Sequence, residues 1–469
     1  MENLRTTIIN WIWKHWAFRF TSLLLFGLFT VAGSAQVQTQ WSNNLGGTQN
    51  DWLRSGLSLA NQEAVLVGTS YSSGGDLNGN GGRADAWIIK VDDAGQLLWS
   101  QSYGGSGQDE WVDIQATNDG GYVLYGQSNS TDGDVGNTMG GFDLWLLKID
   151  ANGQIEWSQT YGGRADERAS KILLRPDGQF YLLANSFSSD FPGVAAHRGA
   201  DAWLLRIDVD GELIGAVSYA AEGTDWLSDG LLLSNGNLLL AGYSNSSATW
   251  QGNPRGAADG WLYQVDANGQ VLWSRKYGGD RADFFKSLTA STTGIYTLAG
   301  YTYSGNGNLS NQRGKRDAWA IQVDAMGNTL WSKNFGGSHH DEFSAIQSAN
   351  DALYLTGYTW SNDGDITQPF GNKDVSLYKI NLLGDLLWQI NLGGSQSDEA
   401  AGLLIRENEK ILLYGCSRSD DEMLNDNKGL EDAWLVLLAE VNDNFSVDLG
   451  GDQQVCAGAS IRGDATTTA

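Results

Sequence analysis

The chain has 469 residues, with 61 Gly and 20 Trp but only 4 Pro, and its net charge is -26. Aromatic content this high excludes an intrinsically disordered chain. The charge sign excludes nucleic acid and anionic membrane as partners, because phosphate would be repelled.

Residues 1–35 read as a secretory signal. Lys14 and Arg19 precede the apolar run "FTSLLLFGLFTVAG", which ends in the small residues Gly33, Ser34 and Ala35. The run is about 14 residues, short of the roughly 20 that a spanning helix needs. Cleavage after Ala35 would make Gln36 the first mature residue. The mature chain would carry no membrane span, and a secreted or outer cell-surface location follows. Two cysteines, Cys416 and Cys456, are too few for a disulfide framework, so stability must come from core packing and sheet hydrogen bonds.

The stretch "VQTQWSNNLGG", residues 37–47, matches the second half of a unit that recurs down the chain. Trp41, Trp99, Trp157, Gly215, Trp273, Trp331 and Trp388 are equivalent, spaced by 58 residues and once by 57. A second series is Asp85, Asp143, Asp201, Asp259, Asp317, Asp374 and Asp432, most of them opening a D-A-W motif; Ser376 stands in one of the Trp slots. A third is Gly68, Gly126, Ala184, Gly242, Gly300, Gly357 and Gly415. Each series counts seven.

Within each unit, four strand-like pieces are separated by turn sequences. The second unit shows them as "DEWVDIQATND", "GYVLYGQSNS", "DLWLLKID" and "QIEWSQTYGG". Asn-Asp-Gly-Gly and Asp-Ala-Asn-Gly supply tight turns between the first and last pairs. In the third piece Trp145, Leu147 and Ile149 alternate with Leu144, Leu146 and Lys148, so neither face is fully polar. Such a sheet lies between two other sheets. No convincing helical periodicity follows residue 35. Four strands per unit, seven times, predict an all-β, seven-bladed β-propeller over residues 36–441. The last unit, with "DEAAGLLIREN", "KILLYGCSRS" and "DAWLVLLAEV", lacks an outer strand. Residues 37–47 are that strand, closing the ring so that no blade presents an unpaired edge.

The repeated Trp residues read as packing between blades, and the repeated Asp residues as turn caps that accept backbone hydrogen bonds. The Gly series marks a strand position where a neighbour approaches too closely for a side chain.

The units resemble the propeller repeats of secreted bacterial surface proteins, of the kind found upstream of PKD or Ig-like modules and a type IX secretion sorting tail. The pattern "DGGYVLYGQSNSTDGD…GGFDLWLLKIDANGQIEWSQTYGG" carries the resemblance across residues 37–441. Through "KIDANGQIEW" the blade is also similar to the PQQ-binding-like blade, a likeness taken for strand order and not for the quinone. Residues 442–469 resemble the start of an Ig- or PKD-like module that breaks off. The resemblance implies display at, or release from, a bacterial surface. "RGD" at Arg462 to Asp464 reads as a chance tripeptide.

Function is expected on the disc face that carries the second-to-third loops and the blade-to-blade loops, read as long and variable, since the turns opposite are short and uniform. Phe191, His197, Arg198, Trp250, Arg255, Arg313, Arg316 and Phe370 lie in those loops. Aromatic faces beside Arg suit a glycan or a surface protein. Asp76, Asn78 and Asn80 match the first half of a calcium loop, but position twelve is Trp87 and supplies no Glu. Calcium is therefore the one ion the sequence offers ligands for, and no organic cofactor is implied. His339 and His340 lack a companion ligand set at metal spacing.

Catalytic signatures are thin. No G-x-S-x-G or H-E-x-x-H occurs. The acid pairs Asp109-Glu110, Asp166-Glu167, Asp341-Glu342 and Asp398-Glu399 could serve glycoside chemistry, yet they fall at repeat positions, whereas an active site needs asymmetry. The expectation is a non-enzymatic, monomeric binding or scaffold propeller. The alternative is a polysaccharide hydrolase or lyase that uses carboxylates of the same loops.

Overall fold

The computed structural model describes residues 36–77, 82–191, 194, 199–219, 222–246, 256–309, 312–367, 369–422, 424 and 427–441. Residues Val37–Val441 form one compact unit. Among the described residues no helix is long and apolar enough to cross a membrane. The expectations for residues 1–35 and 442–469 lie outside the described residues.

Seven four-stranded antiparallel sheets make up the described unit. Their innermost strands are Asp51–Ser58, Asp109–Ala116, Glu167–Leu174, Asp225–Leu232, Asp283–Ala290, Asp341–Ala349 and Asp398–Ile405, which define blades 1 to 7. Each inner strand packs on the next, and blade 7 meets blade 1. In blade 7 the strand Gln36–Leu45 pairs with Asp432–Val441 as the outermost member. The closure expected from residues 37–47 is present, and Ser42 Oγ accepts a hydrogen bond from Trp434 Nε1 at 2.8 Å.

The third strand of each blade shows why the repeat needs apolar residues on both faces. All seven residues of Asp143–Ile149 are buried. Trp145, Leu147 and Ile149 enter the core against blade 1, while Leu144 and Leu146 enter the core against blade 3. A blade can bury both faces only between two neighbours, so burial and ring closure are one requirement.

Two tryptophan series divide the packing. Trp87, Trp145, Trp203, Trp261, Trp319 and Trp434, on third strands, are almost wholly buried. The outer-strand Trp41, Trp99, Trp157, Trp273, Trp331 and Trp388 are half-buried instead. Trp41 of blade 7 donates from Nε1 to the Asp93 carbonyl of blade 1 at 2.8 Å, and its ring lies against Gly95, a turn glycine with φ +75°. A side chain at Gly95 would displace that ring.

Every inner strand carries a bulge near its middle, as between Leu53 and Ser55. Opposite it stands the repeated glycine: a Cβ on Gly68 would collide with the Trp52 carbonyl. Blade 3 has Ala184 there. The bulge turns the following side chains toward the axis, which sets up the site.

Candidate functional site: the axial channel and its mouth

The seven inner strands enclose a cavity of about 1090 Å³ along the axis. Strands start at its mouth on the face of the second-to-third loops, because inner strands begin and third strands begin on that side. The second-to-third loops there are long, as expected. The blade-to-blade connections are not: residues 104–108 suffice between blades 1 and 2.

At the first inner-strand position sits an acid that belongs to the frame. Asp109 accepts from the Ser128 hydroxyl, from Ser130 Oγ at 2.9 Å and from Gly105 N at 2.9 Å. Burial raises its pKa, and these donors oppose the rise. The acid pairs of the sequence therefore split: one member enters this network, and in blades 6 and 7 the other, Glu342 or Glu399, lines the cavity. In blade 3 the split is reversed: Glu167 takes the buried place, and Asp166 pairs with Arg168 at 2.8 Å.

Four of the repeated third-strand Asp residues cap loops. Asp143, Asp317, Asp374 and Asp432 accept from the backbone N–H of Met139, Arg313, Phe370 and Lys428 at 2.6, 2.8, 2.7 and 2.6 Å.

At the fifth inner-strand position the symmetry fails. The seven residues are Ser55, Asp113, Lys171, Asp229, Ser287, Ala345 and Gly402. Lys171 Nζ lies 3.3 Å from Asp113 Oδ2. Asp113 also accepts from Ser55 Oγ at 2.6 Å and from Ile172 N at 3.0 Å. On the other side, Asp229 accepts from Ser287 Oγ at 3.0 Å and from Leu288 N at 2.9 Å. Burial works to lower the Lys171 pKa, but Asp113 and Asp229 outweigh it and hold the ammonium charged. Its side chain is about one-third exposed, and only to the channel. In blade 7, Tyr414 fills the space that a side chain at Gly402 would take. Burial pushes its hydroxyl up to about 12, with Lys171 opposing and Asp113 and Asp229 reinforcing.

Aromatic rings make a continuous arc at the mouth over blades 3 to 5. Ring centroids run from Phe187 to Trp226 at 6.5 Å, to Tyr243 at 6.1 Å, to Phe284 at 4.6 Å, and to Tyr301 at 4.8 Å. None is fully buried, and Phe187 is 49% exposed. Cations continue the arc. The Arg316 guanidinium lies 4.7 Å from the Tyr301 centroid and 5.3 Å from that of Tyr358, and Lys373 sits 3.9 Å from Tyr358. Glu342 pairs with Arg316 at 3.3 Å and accepts from Tyr358 Oη at 3.1 Å. Lys373 pairs with Glu399.

Of the loop residues expected to bind ligand, Arg316 reaches this mouth. Arg313 is engaged elsewhere, with Nη1 2.5 Å from Asp365 Oδ2. Phe370 is 38% exposed on its loop. Phe191 corrects the expectation: it is buried, with its ring 4.7 Å from that of Trp203, because blade 3 uses it as core. His197, Arg198, Trp250 and Arg255 lie outside the described residues. So do Asn78 and Asn80, while Asp76 accepts from Gly46 N at 3.0 Å and from Lys428 Nζ at 2.6 Å. Among the described residues no group of three His, Cys, Asp or Glu gathers to hold a metal. His340 packs edge-on against Trp360.

Sequence reasoning misses the inner-strand residues, because the variable loops carry the more obvious ligand-binding side chains. The signal was present: comparing units position by position shows Asp113, Lys171 and Asp229 where other blades carry Ser, Ala or Gly.

No family model matches the chain. It is 22% identical over 375 residues to the regulatory protein FlaEY of Caulobacter vibrioides, covering 70% of this chain and 38% of that protein. The chain thus spans well under half the length of that curated relative. Among solved structures it is similar to the WD40 β-propeller domain of Doa1, at 13% identity and TM-score 0.48, over 86% of this chain and 97% of that one. It is also similar to the endosialidase of phage phi92, at 11% identity and TM-score 0.40, over 91% and 72%. A protein of unknown function from Dyadobacter fermentans gives 12% identity and TM-score 0.41, over 86% and 99%.

Proposed function

We propose that this protein is a secreted or surface-displayed binding propeller that takes a glycan or a partner protein at the long-loop mouth of its axial channel, without turning the ligand over. The aromatic arc carries this reading. Four rings from Trp226 to Tyr301 in mutual contact, each part-exposed, are a surface that only a ligand would cover fully. The channel acids support binding over catalysis, since Asp113 is committed to Lys171 and to two donors, and Asp229 to the Ser287 hydroxyl and the Leu288 N–H. Export by the signal of residues 1–35, calcium at the loop of Asp76, and a monomeric state belong to the same proposal.

A glycan array probed with the mature chain tests it. Retained glycans should be released by Trp226→Ala and Phe284→Ala and recovered uncleaved. Turnover of the bound glycan would instead support a hydrolase or lyase.

A further inference from the structure

The mouth is far less acidic than the rest of the chain. Lys286, Arg316, Lys373, Arg418 and Arg54 stand on the blade 5, 6, 7 and 1 side. The carboxylates there are Glu342, Glu399 and Glu431. On that side five cations stand against three acids; with Lys171, Asp113 and Asp229 of the channel wall included the balance is six against five, close to neutral in a chain whose net charge is -26.

The acids are already shared out. Arg316 holds Glu342, Lys373 holds Glu399, and Arg418 lies 3.6 Å from Glu431. Two cations are left over. Arg54 makes no ion pair among the described residues and rests 5.6 Å from the Trp52 ring centroid. Lys286 reaches Glu342 only at 3.9 Å and stays 42% exposed. Both occupy the fourth position of their inner strands and line the same cavity. Lys286 also lies 5.7 Å from the Tyr301 centroid, so an open cation and the aromatic arc adjoin.

We propose that this mouth binds an acidic glycan, a chain of uronate sugars, with Arg54 and Lys286 taking carboxylates while the arc from Trp226 to Tyr301 covers sugar faces. The proposal rests on the glycan-binding reading above and narrows it. A guanidinium matches a carboxylate with two parallel N–H donors, and a pyranose ring presents the flat C–H face that stacks on an aromatic. Nucleic acid would bring aromatic faces and negative charge as well, but its dense phosphate array meets the repulsion of the whole chain rather than the local balance alone. An acidic peptide supplies carboxylates without a regular succession of flat faces.

Calorimetric titration of the mature chain with oligogalacturonate, methyl-esterified oligogalacturonate and polyglutamate separates these cases. The ester keeps the sugar and removes the charge. Oligogalacturonate should bind, and Lys286→Ala or Arg54→Ala should each weaken it about tenfold. Lys286→Gln and Arg54→Gln, which keep side-chain volume, should behave alike, and thermal unfolding of each variant reports whether it is folded. Equal binding of the ester, untouched by these changes, would overturn the carboxylate assignment and leave the glycan reading standing. Stronger binding of polyglutamate would overturn the assignment in favour of a peptide. Failure of both sugars and of the glycan array would overturn both readings.

Discussion

Lys171 of blade 3 and Asp113 of blade 2 occupy the same position on successive inner strands, with Nζ 3.3 Å from Oδ2. A perfect repeat would place like charges there. This chain instead alternates Asp113, Lys171 and Asp229 around the axis, and the cation pairs with Asp113 while its charge also favours the ionised form of Asp229.

Replacing Lys171 with Met should therefore cost more than the loss of one contact. Asp113 and Asp229 would face each other's charge without compensation, and removal of one partner from a buried pair is the costly direction. Partial exposure of Lys171 to the channel reduces the penalty, so about 1–3 kcal/mol is expected by chemical denaturation. Adding Asp113→Asn and Asp229→Asn to K171M should restore part of it. Unchanged stability in the single variant would remove the triad from the account.

Ring closure gives a second expectation. Deleting residues 37–47 strips blade 7 of its outer strand, exposes the edge of Asp432–Val441, and removes Trp41 from the turn of blade 1. The deletion should lower the unfolding temperature and admit protease at blade 7. Trp41→Ala alone should cost roughly 2–3 kcal/mol, below the value for a fully buried Trp because its ring is half-exposed. A deleted chain that melts with the parent would contradict the closure.

Acid pH should stabilise the protein through the loop caps. Asp143 and Asp432 are each raised to about 6 by burial, despite the N–H of Met139 and of Lys428, with further upward pushes from Glu167 and from Asp51 respectively. A carboxyl whose folded pKa lies above its unfolded value favours the native state below the unfolded pKa, and that contribution is lost as pH rises through the folded value. Between about pH 4 and 6 these two sites should therefore lose stability as pH climbs. Unfolding midpoints measured at pH 5 and pH 7 should fall in that order, and Asp143→Asn should flatten the difference. A midpoint that rises toward neutrality and does not respond to D143N would count against burial-raised carboxyls at these caps.

The bulge glycines offer a fourth check. Gly68→Ala must push a methyl group into the Trp52 carbonyl and should cost about 1–3 kcal/mol in thermal unfolding. Ala184→Gly in blade 3, where the wall already accepts the methyl, should cost only about 0.5–1 kcal/mol. Equal effects at the two positions would mean that the close approach is not what selects glycine.

The fold was legible because its causes are periodic. Strand alternation in "DLWLLKID" requires neighbours on both faces, and three series of seven fix the blade count. The missing outer strand of blade 7 is a deficit that residues 37–47 alone can fill. The site was less legible because it depends on exceptions to the repeat. Phe191 looks like a loop aromatic in sequence, yet packs on Trp203, since nothing local distinguishes an exposed ring from one folded back into the core. Arg316 was found because it stands in a variable loop. Phe284 and Tyr301 are less legible, because they sit inside strands whose pattern reads as structural, and it is their cross-strand pairing that sets the two rings side by side.

Hydrogen exchange of the protein with and without a bound glycan tests the central claim most directly, because it locates the ligand without presuming its chemistry. Protection should concentrate on the segments holding Trp226, Tyr243, Phe284 and Tyr301 at the long-loop mouth. Protection confined to the short turns of the opposite face, such as residues 92–96 and 150–154, would contradict the account.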